Sequence, residues 1–286
     1  MPHDPGPAFR ALHRPGDPFV LANAWDLGSA RMLAALGAQA LGTSSAAYAF
    51  TLGRPDMGHV SRDEMLAHAE ALVAATPLPV SADLENGYGD APEAVAETVR
   101  LACEAGLAGL SIEDVMPPAG AAYPFDLAVE RIRAAAAAAR ACPRDLVLLA
   151  RADGVMTGAY DLDEGIRRLR AFAEAGADGL YLPAPASMAD LARICASVDR
   201  PVNALAAGGF TAHSRAEFAA AGVARISLGS ALARATHRLV KDVAEAMLGP
   251  AGSFAPLSRG ISGDTVDALL AAGTRRPGRG SVSPAS

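Results

Sequence analysis

Lysine is nearly missing from this 286-residue chain: Lys241 is the only one, inside a long helical stretch near the C-terminus. A Schiff-base lysine must project from a strand end into a pocket, so imine chemistry is not expected. Cysteine is scarce too. Cys103, Cys142 and Cys195 are an odd number without metal-ligand spacing, which predicts a reducing, cytoplasmic setting and no disulfide framework. The formal charge is −6 and no run of Lys or Arg occurs, so neither nucleic acid nor an anionic membrane is the expected partner. No uncharged apolar run approaches bilayer-spanning length, and the opening MPHDPGPAFRALHRPGDP lacks the apolar stretch of a signal peptide. What these absences leave is a small-molecule partner.

Hydrophobic residues make up 51% of the chain and charged residues only 20%, which suits a buried parallel sheet wrapped in helices. Short apolar runs alternate with alanine-rich amphipathic segments, the pattern of βα units. Eight strands are read: Phe19 to Asn23, Ala40 to Thr43, Pro79 to Asp83, Ala108 to Glu113, Leu146 to Arg151, Gly179 to Leu182, Pro201 to Ala204 and Ala224 to Leu228. Ser61 opens a capping-box pattern, and "EAG" at Glu104 to Gly106 and Glu174 to Gly176 places glycine where helices end. After the first strand, "NAWDLGSA" is not a nucleotide-binding glycine fingerprint, so an α/β fold with a (β/α)₈ TIM barrel is favoured over a doubly wound sheet. The expected division is an N-terminal extension (1–18), the barrel (19–250), and a C-terminal segment (251–286) holding one additional helix at Ser262 to Ala272, with the Pro/Gly/Ser/Arg-rich residues before Phe19 and after about Ala272 read as frayed.

In such a barrel the active site forms at the C-terminal strand ends. Those ends carry Asn23 and Asp26; Thr43, Ser44 and Ser45, with Asp56 in the following loop; Asp83 and Glu85; Glu113 and Asp114; and Arg151 and Asp153. Acidic pairs on adjacent strands, about 5 Å apart, call for a positive partner. Oxygen ligands without His or Cys point to Mg²⁺, with Mn²⁺ possible. Any single acid can instead be a helix cap. Arg151 is read as a bidentate fork for a substrate carboxylate, or else as a structural ion pair with Glu113 or Asp153. No histidine ends a strand: His59 lies in a loop, and His3, His13, His68, His213 and His237 read as surface residues, so a hydrolase triad is not expected. Gly208 to Phe210 and Leu228 to Ala233 are either phosphate-holding turns or plain helix entries.

"NAWDLGSA", the "SSAA" turn with "LGRPD", "ADLENGYG", "SIED", "ARAD" and "GVARISLGSAL" occur in one order over Phe19 to Leu248, and as a set they resemble the isocitrate lyase/phosphoenolpyruvate mutase family. The resemblance implies a Mg²⁺-dependent lyase that cleaves a C–C bond of a small 2-hydroxy or 2-oxo carboxylate through an enolate. Phosphonopyruvate or oxaloacetate hydrolysis, C–P transfer, and a non-catalytic metabolite binder are the alternatives. It implies metal residues Asp83, Glu85, Asp56 and Glu113, with Asp83 the direct ligand and the others holding its waters. The candidate substrate-binding residues are Trp25, Ser44, Ser45, Ala46, Arg151 and Asn203, and the candidate catalytic residues are Arg151, Glu113, Ser45 and Tyr48. It also implies a homotetramer, with Ser262 to Ala272 the helix that crosses to a neighbour. Two departures stand out. The lyase Cys-Gly-His motif and the mutase gating residues are replaced by Val115 to Asp126, "VMPPAGAAYPFD", and Pro183 stands where the mutases have histidine. Glu113, Tyr48, Tyr123 and His59 are left as candidate proton carriers, and Val115 to Pro124 as a candidate lid.

Overall fold

Apolar runs too short for helices pair into parallel strands here because helices cover their outer face and side chains from facing strands fill the inner one. The computed structural model describes residues 4–275. In chain order the elements are α1 (Gly6–Ala11), β1 (Phe19–Asn23), α2 (Leu27–Ala35), β2 (Ala40–Gly42), α3 (Ser45–Thr51), α4 (Arg62–Ala75), β3 (Val80–Asp83), α5 (Pro92–Glu104) and β4 (Gly109–Glu113). Then come the short β5 (Val115–Met116) and β6 (Ala121–Ala122), α6 (Phe125–Ala141), β7 (Val147–Arg151), α7 (Gly154–Thr157), α8 (Leu162–Glu174), β8 (Gly179–Tyr181) and α9 (Met188–Ala196). The chain continues through β9 (Val202–Leu205), α10 (Arg215–Ala220), β10 (Arg225–Ser227), α11 (Ala231–Leu248) and α12 (Gly263–Ala272). All eight expected strands are present, and they close a parallel barrel in the order β1, β2, β3, β4, β7, β8, β9, β10.

Residues paired across adjacent strands share a face of the sheet. One such inward ladder runs Phe19, Arg225, Asn203, Tyr181, Arg151, Glu113, and strand tilt carries it from the closed end of the barrel to the mouth. At the closed end Phe9, Phe19, Leu21, Val147 and Leu149 form a separate apolar cluster.

Three expectations are corrected. From residue 4 onward the segment before Phe19 is not frayed: α1 inserts Phe9, which is 0% exposed, against Phe19 and so close to Gly109 that a Cβ there would meet the Phe9 ring at 2.7 Å. Cys103 and Cys142 form a disulfide, with Cα atoms 6.2 Å apart, because α5 and α6 pack side by side despite a separation of 39 residues. That bond removes the premise from which a reducing compartment was inferred; Cys195 is free. His68 is not a surface residue but is buried and stacked on Tyr48, and His13 packs edge-on between Phe9 and Phe19. Within the single chain α12, capped by Ser262, lies on α2. His3 and most of the tail lie outside the described residues. Among the described residues no helix is long and apolar enough to cross a membrane.

Candidate active site

The C-terminal strand ends surround a cavity of about 180 Å³. Ser44, Ser45, Ala46, Asp56, Asp83, Glu85, Glu113 and Arg151 all line it. Trp25, Tyr48 and Asn203 do not. Trp25 precedes the cap of α2, where Asp26 accepts from the Ser29 amide at 2.6 Å, so Asp26 is one of the acids that serves as a cap. Tyr48 faces His68, their rings 3.9 Å apart and nearly parallel. Asn203 is buried between Ser227 and Arg225.

Asp83 is held from two sides. Its Oδ2 accepts from the Ser45 amide at 3.0 Å and the Ser45 hydroxyl at 2.9 Å, and its Oδ1 accepts from Arg151 Nη1 at 3.0 Å. Ser44 caps α3 through the Ala47 amide, which leaves the Ala46 amide, in the first turn, without an intrahelical partner. Arg151 has five N–H groups. Nε and Nη2 each donate to Asp153, at 3.1 and 2.7 Å, and Nη1 bonds both Asp83 and Glu113 at 2.8 to 3.0 Å. One Nη2 hydrogen is therefore free, so the fork expected to grip a substrate carboxylate is spent on the protein's own acids.

Glu85 and Asp56 lack such a partner. Glu85 stands at a positive φ of 46°; its Oε1 accepts from the Gly58 amide at 3.2 Å and its Oε2 is buried with no partner. Burial pushes Glu85 up to about 7; the Gly58 bond opposes this, and the charges of Asp83 and Asp56 add to it. Burial raises Asp56 as well, against the bond its Oδ1 accepts from the Met57 amide. Burial lifts Glu113 well above the carboxylate range despite Arg151 beside it, and lifts Asp153 to about 6. Among the described residues no three acidic, His or Cys side chains converge as a ready-made metal cage. A hard cation that keeps most of its waters needs only one or two carboxylates, and the oxygen-only set with an orphaned Glu85 Oε2 fits that demand.

Asp114 points out of the cavity. It accepts from the Asp153 amide, the Tyr160 hydroxyl and Arg168 Nη1 at 2.7 to 3.0 Å, and so braces β4 to β7 and α8. Tyr123 donates to Asp90 at 2.5 Å and accepts from Asn86, and His59 is exposed; neither lines the cavity. Val115 to Tyr123 is a hairpin over the mouth. Val115 and Pro117 line the cavity, Gly58 abuts Pro117, and Gly120 lies against Thr157 and Met57. The sequence reading missed Tyr181, Ser81, Ser111, Ser227 and Arg225, all of which line the cavity. The available signal was register: Ser81 and Ser111 stand two residues before Asp83 and Glu113, hence on the same inward face. Tyr181 lies under the Arg151 guanidinium, 4.9 Å from ring centre to carbon.

Three comparisons bear on this arrangement. The family described as phosphoenolpyruvate phosphomutase matches residues 9–248. The 2-methylisocitrate lyase of Escherichia coli is 32% identical over 208 residues, covering 70% of this chain and 69% of that protein. The oxaloacetate decarboxylase of Chromohalobacter salexigens is 32% identical over 237 residues, 80% of each. The crystal structure of a Burkholderia cenocepacia protein described as a lyase/mutase superposes with a TM-score of 0.89 at 47% identity, covering 94% of this chain and 96% of that one.

Proposed function

This chain belongs to the isocitrate lyase/phosphoenolpyruvate mutase family and to its carbon–carbon lyase type, and from that premise we propose a divalent-metal-dependent lyase that cleaves a C–C bond of a small 2-hydroxy or 2-oxo carboxylate to leave an enolate. The observation that carries the reading is Glu85 Oε2, buried and unpartnered in the cavity wall beside Asp56, Asp83 and Glu113. Mg²⁺, or Mn²⁺, suits these donors, with Asp83 as direct ligand and Asp56, Glu85 and Glu113 holding its waters. When bound it supplies Lewis acidity to the developing enolate oxygen.

The chain's own groups do the rest. The free Ala46 amide and the Ser44 hydroxyl bind the carboxylate, while Ser45, whose amide and hydroxyl both donate to Asp83, holds that acid in place. The remaining Arg151 N–H adds one bond, and the guanidinium charge offsets the substrate's. Tyr181 is the proton carrier this reading favours, because it lines the cavity beside Arg151 while Tyr48, Tyr123 and His59 do not. Burial holds its hydroxyl up to about 12, so it keeps the proton until a carbanion demands it. The hairpin over the mouth excludes water from that step.

The test is an assay with Mg²⁺ against isocitrate, methylisocitrate, oxaloacetate and phosphonopyruvate, scoring pyruvate, glyoxylate and phosphate. A metal-dependent keto-acid product from a C–C substrate is expected, and Asp83→Asn should reduce turnover by at least a thousandfold. Phosphate from phosphonopyruvate would move the assignment to C–P chemistry, and undiminished activity in Asp83→Asn would remove the metal site. We also propose a homo-oligomer, a tetramer by family. The surface this proposal offers to a second copy is α11 and the segment after it, where Val240, Leu248, Phe254, Leu257 and Ile261 are exposed. The mass in solution tests this.

A further inference from the structure

Three steps along the inward ladder from Arg151, a second arginine faces the same cavity without a counterion. Arg225, the first residue of β10, is 4% exposed and lines the cavity with Leu21, Ser81, Ser111, Tyr181 and Ser227. Its Nε donates to Asn203 Oδ1 at 2.8 Å, and Asn203 Nδ2 donates onward to Ser227 Oγ at 2.9 Å. Nη1 is buried and has no partner, and among the described residues no carboxylate forms an ion pair with this guanidinium. Asp83, whose field reaches Arg225, is already held by Ser45 and Arg151.

Burial presses Arg225 down to about 9, with Tyr181 raising it and Arg151 lowering it, so the group is still a cation at neutral pH. A buried cation without compensation is costly, and structures keep one where something neutralises it. Beneath it, His13 Nδ1 lies 3.0 Å from the Phe9 carbonyl, which places the ring hydrogen there and leaves Nε2, also buried and unpartnered, as a neutral acceptor. His13 therefore offers a lone pair but no charge. The hydroxyls of Ser81 and Ser111 line the same cavity and can donate.

We propose that Arg225 and these hydroxyls form an anion subsite at the floor of the cavity, separate from Arg151, which takes one monoanionic group of carboxylate or halide size. The occupant comes from one of two sources: a second carboxylate of the substrate, or a free inorganic anion. The cavity, at about 180 Å³, has room for either.

Bromide is the probe. Crystals of the full chain soaked in bromide are expected to show an anomalous peak at the Arg225 guanidinium. At constant ionic strength, replacing gluconate by bromide should raise the melting temperature saturably. Arg225→Gln should abolish that rise, and Arg225→Lys, which keeps the charge but not the planar fork, should weaken the apparent affinity at least tenfold. No peak at Arg225 in the wild-type crystal overturns the proposal, whatever melting does, and leaves water between Arg225 and His13. If Arg225→Gln does not fold, the wild-type map still decides. Soaks with malonate, succinate and glutarate separate the sources: displacement of bromide by one of them assigns the subsite to a substrate carboxylate, and an undisturbed peak assigns it to a free anion.

Discussion

For single side chains, strand alternation decides which acids face the chemistry. Glu113 and Asp114 are neighbours in sequence, yet one bonds Arg151 in the cavity and the other braces Tyr160 and Arg168 outside it. Packing against aromatic rings puts His13, after α1, and His68, on α4, inside, where burial presses them down to about 3 and about 4. The unfolded chain binds those protons from near pH 6.5 downward and the native state does not, so stability is complete above pH 6.5 and falls as the pH drops below it. The expected loss is up to about 2 kcal/mol per histidine at pH 5. Urea unfolding between pH 8 and pH 5 measures it, and His68→Gln should flatten the slope. The acids and Arg151 were legible because charge at a strand end is conspicuous. The two histidines and Arg225 were not, because a lone polar residue carries no mark of which way it faces until neighbouring strands, for Arg225, or packed rings, for the histidines, fix it.

For elements, α1 and the β5–β6 hairpin are the pieces the sequence hid, and for different reasons. Proline and glycine around α1 read as a tail; only the placement of Phe9 against Gly109 turns six helical residues into a plug. Phe9→Ala should cost roughly 3 to 5 kcal/mol, the range for emptying a buried phenylalanine site, seen as a fall in melting temperature. The Val115 to Pro124 segment was foreseen as a lid, but pairing across Pro117 and Pro118 could not be read from so few residues, two of them without an amide hydrogen. Its contacts with Gly58, Met57 and Thr157 hold it across the mouth. Deleting Ala119 to Ala122 should lower kcat/KM about a hundredfold with little effect on melting; an unchanged kcat/KM would count against a lid.

For the whole molecule, the eightfold βα alternation was legible because each unit repeats the same switch of hydrophobic period. Contacts between units were not, and the Cys103–Cys142 bond is the plainest case: Cys103 lies in α5 and Cys142 caps α6, and only the packing of consecutive βα units makes those helices neighbours. The bond closes a loop whose entropy is worth about 2 to 4 kcal/mol. A Cys103→Ser, Cys142→Ser double variant should melt lower than the oxidised protein by that amount, and thiol titration in denaturant without reductant should find only Cys195 reactive.

Among the described residues the Phe9 plug closes one end of the barrel and leaves the mouth under the hairpin as the way in. Whatever enters first lies deepest and must depart last, so two fragments made inside exit in a compulsory sequence. The shallower fragment, added back, will therefore act on the enzyme form that still holds its twin, while the deeper one will meet an empty chamber and contend directly with fresh substrate.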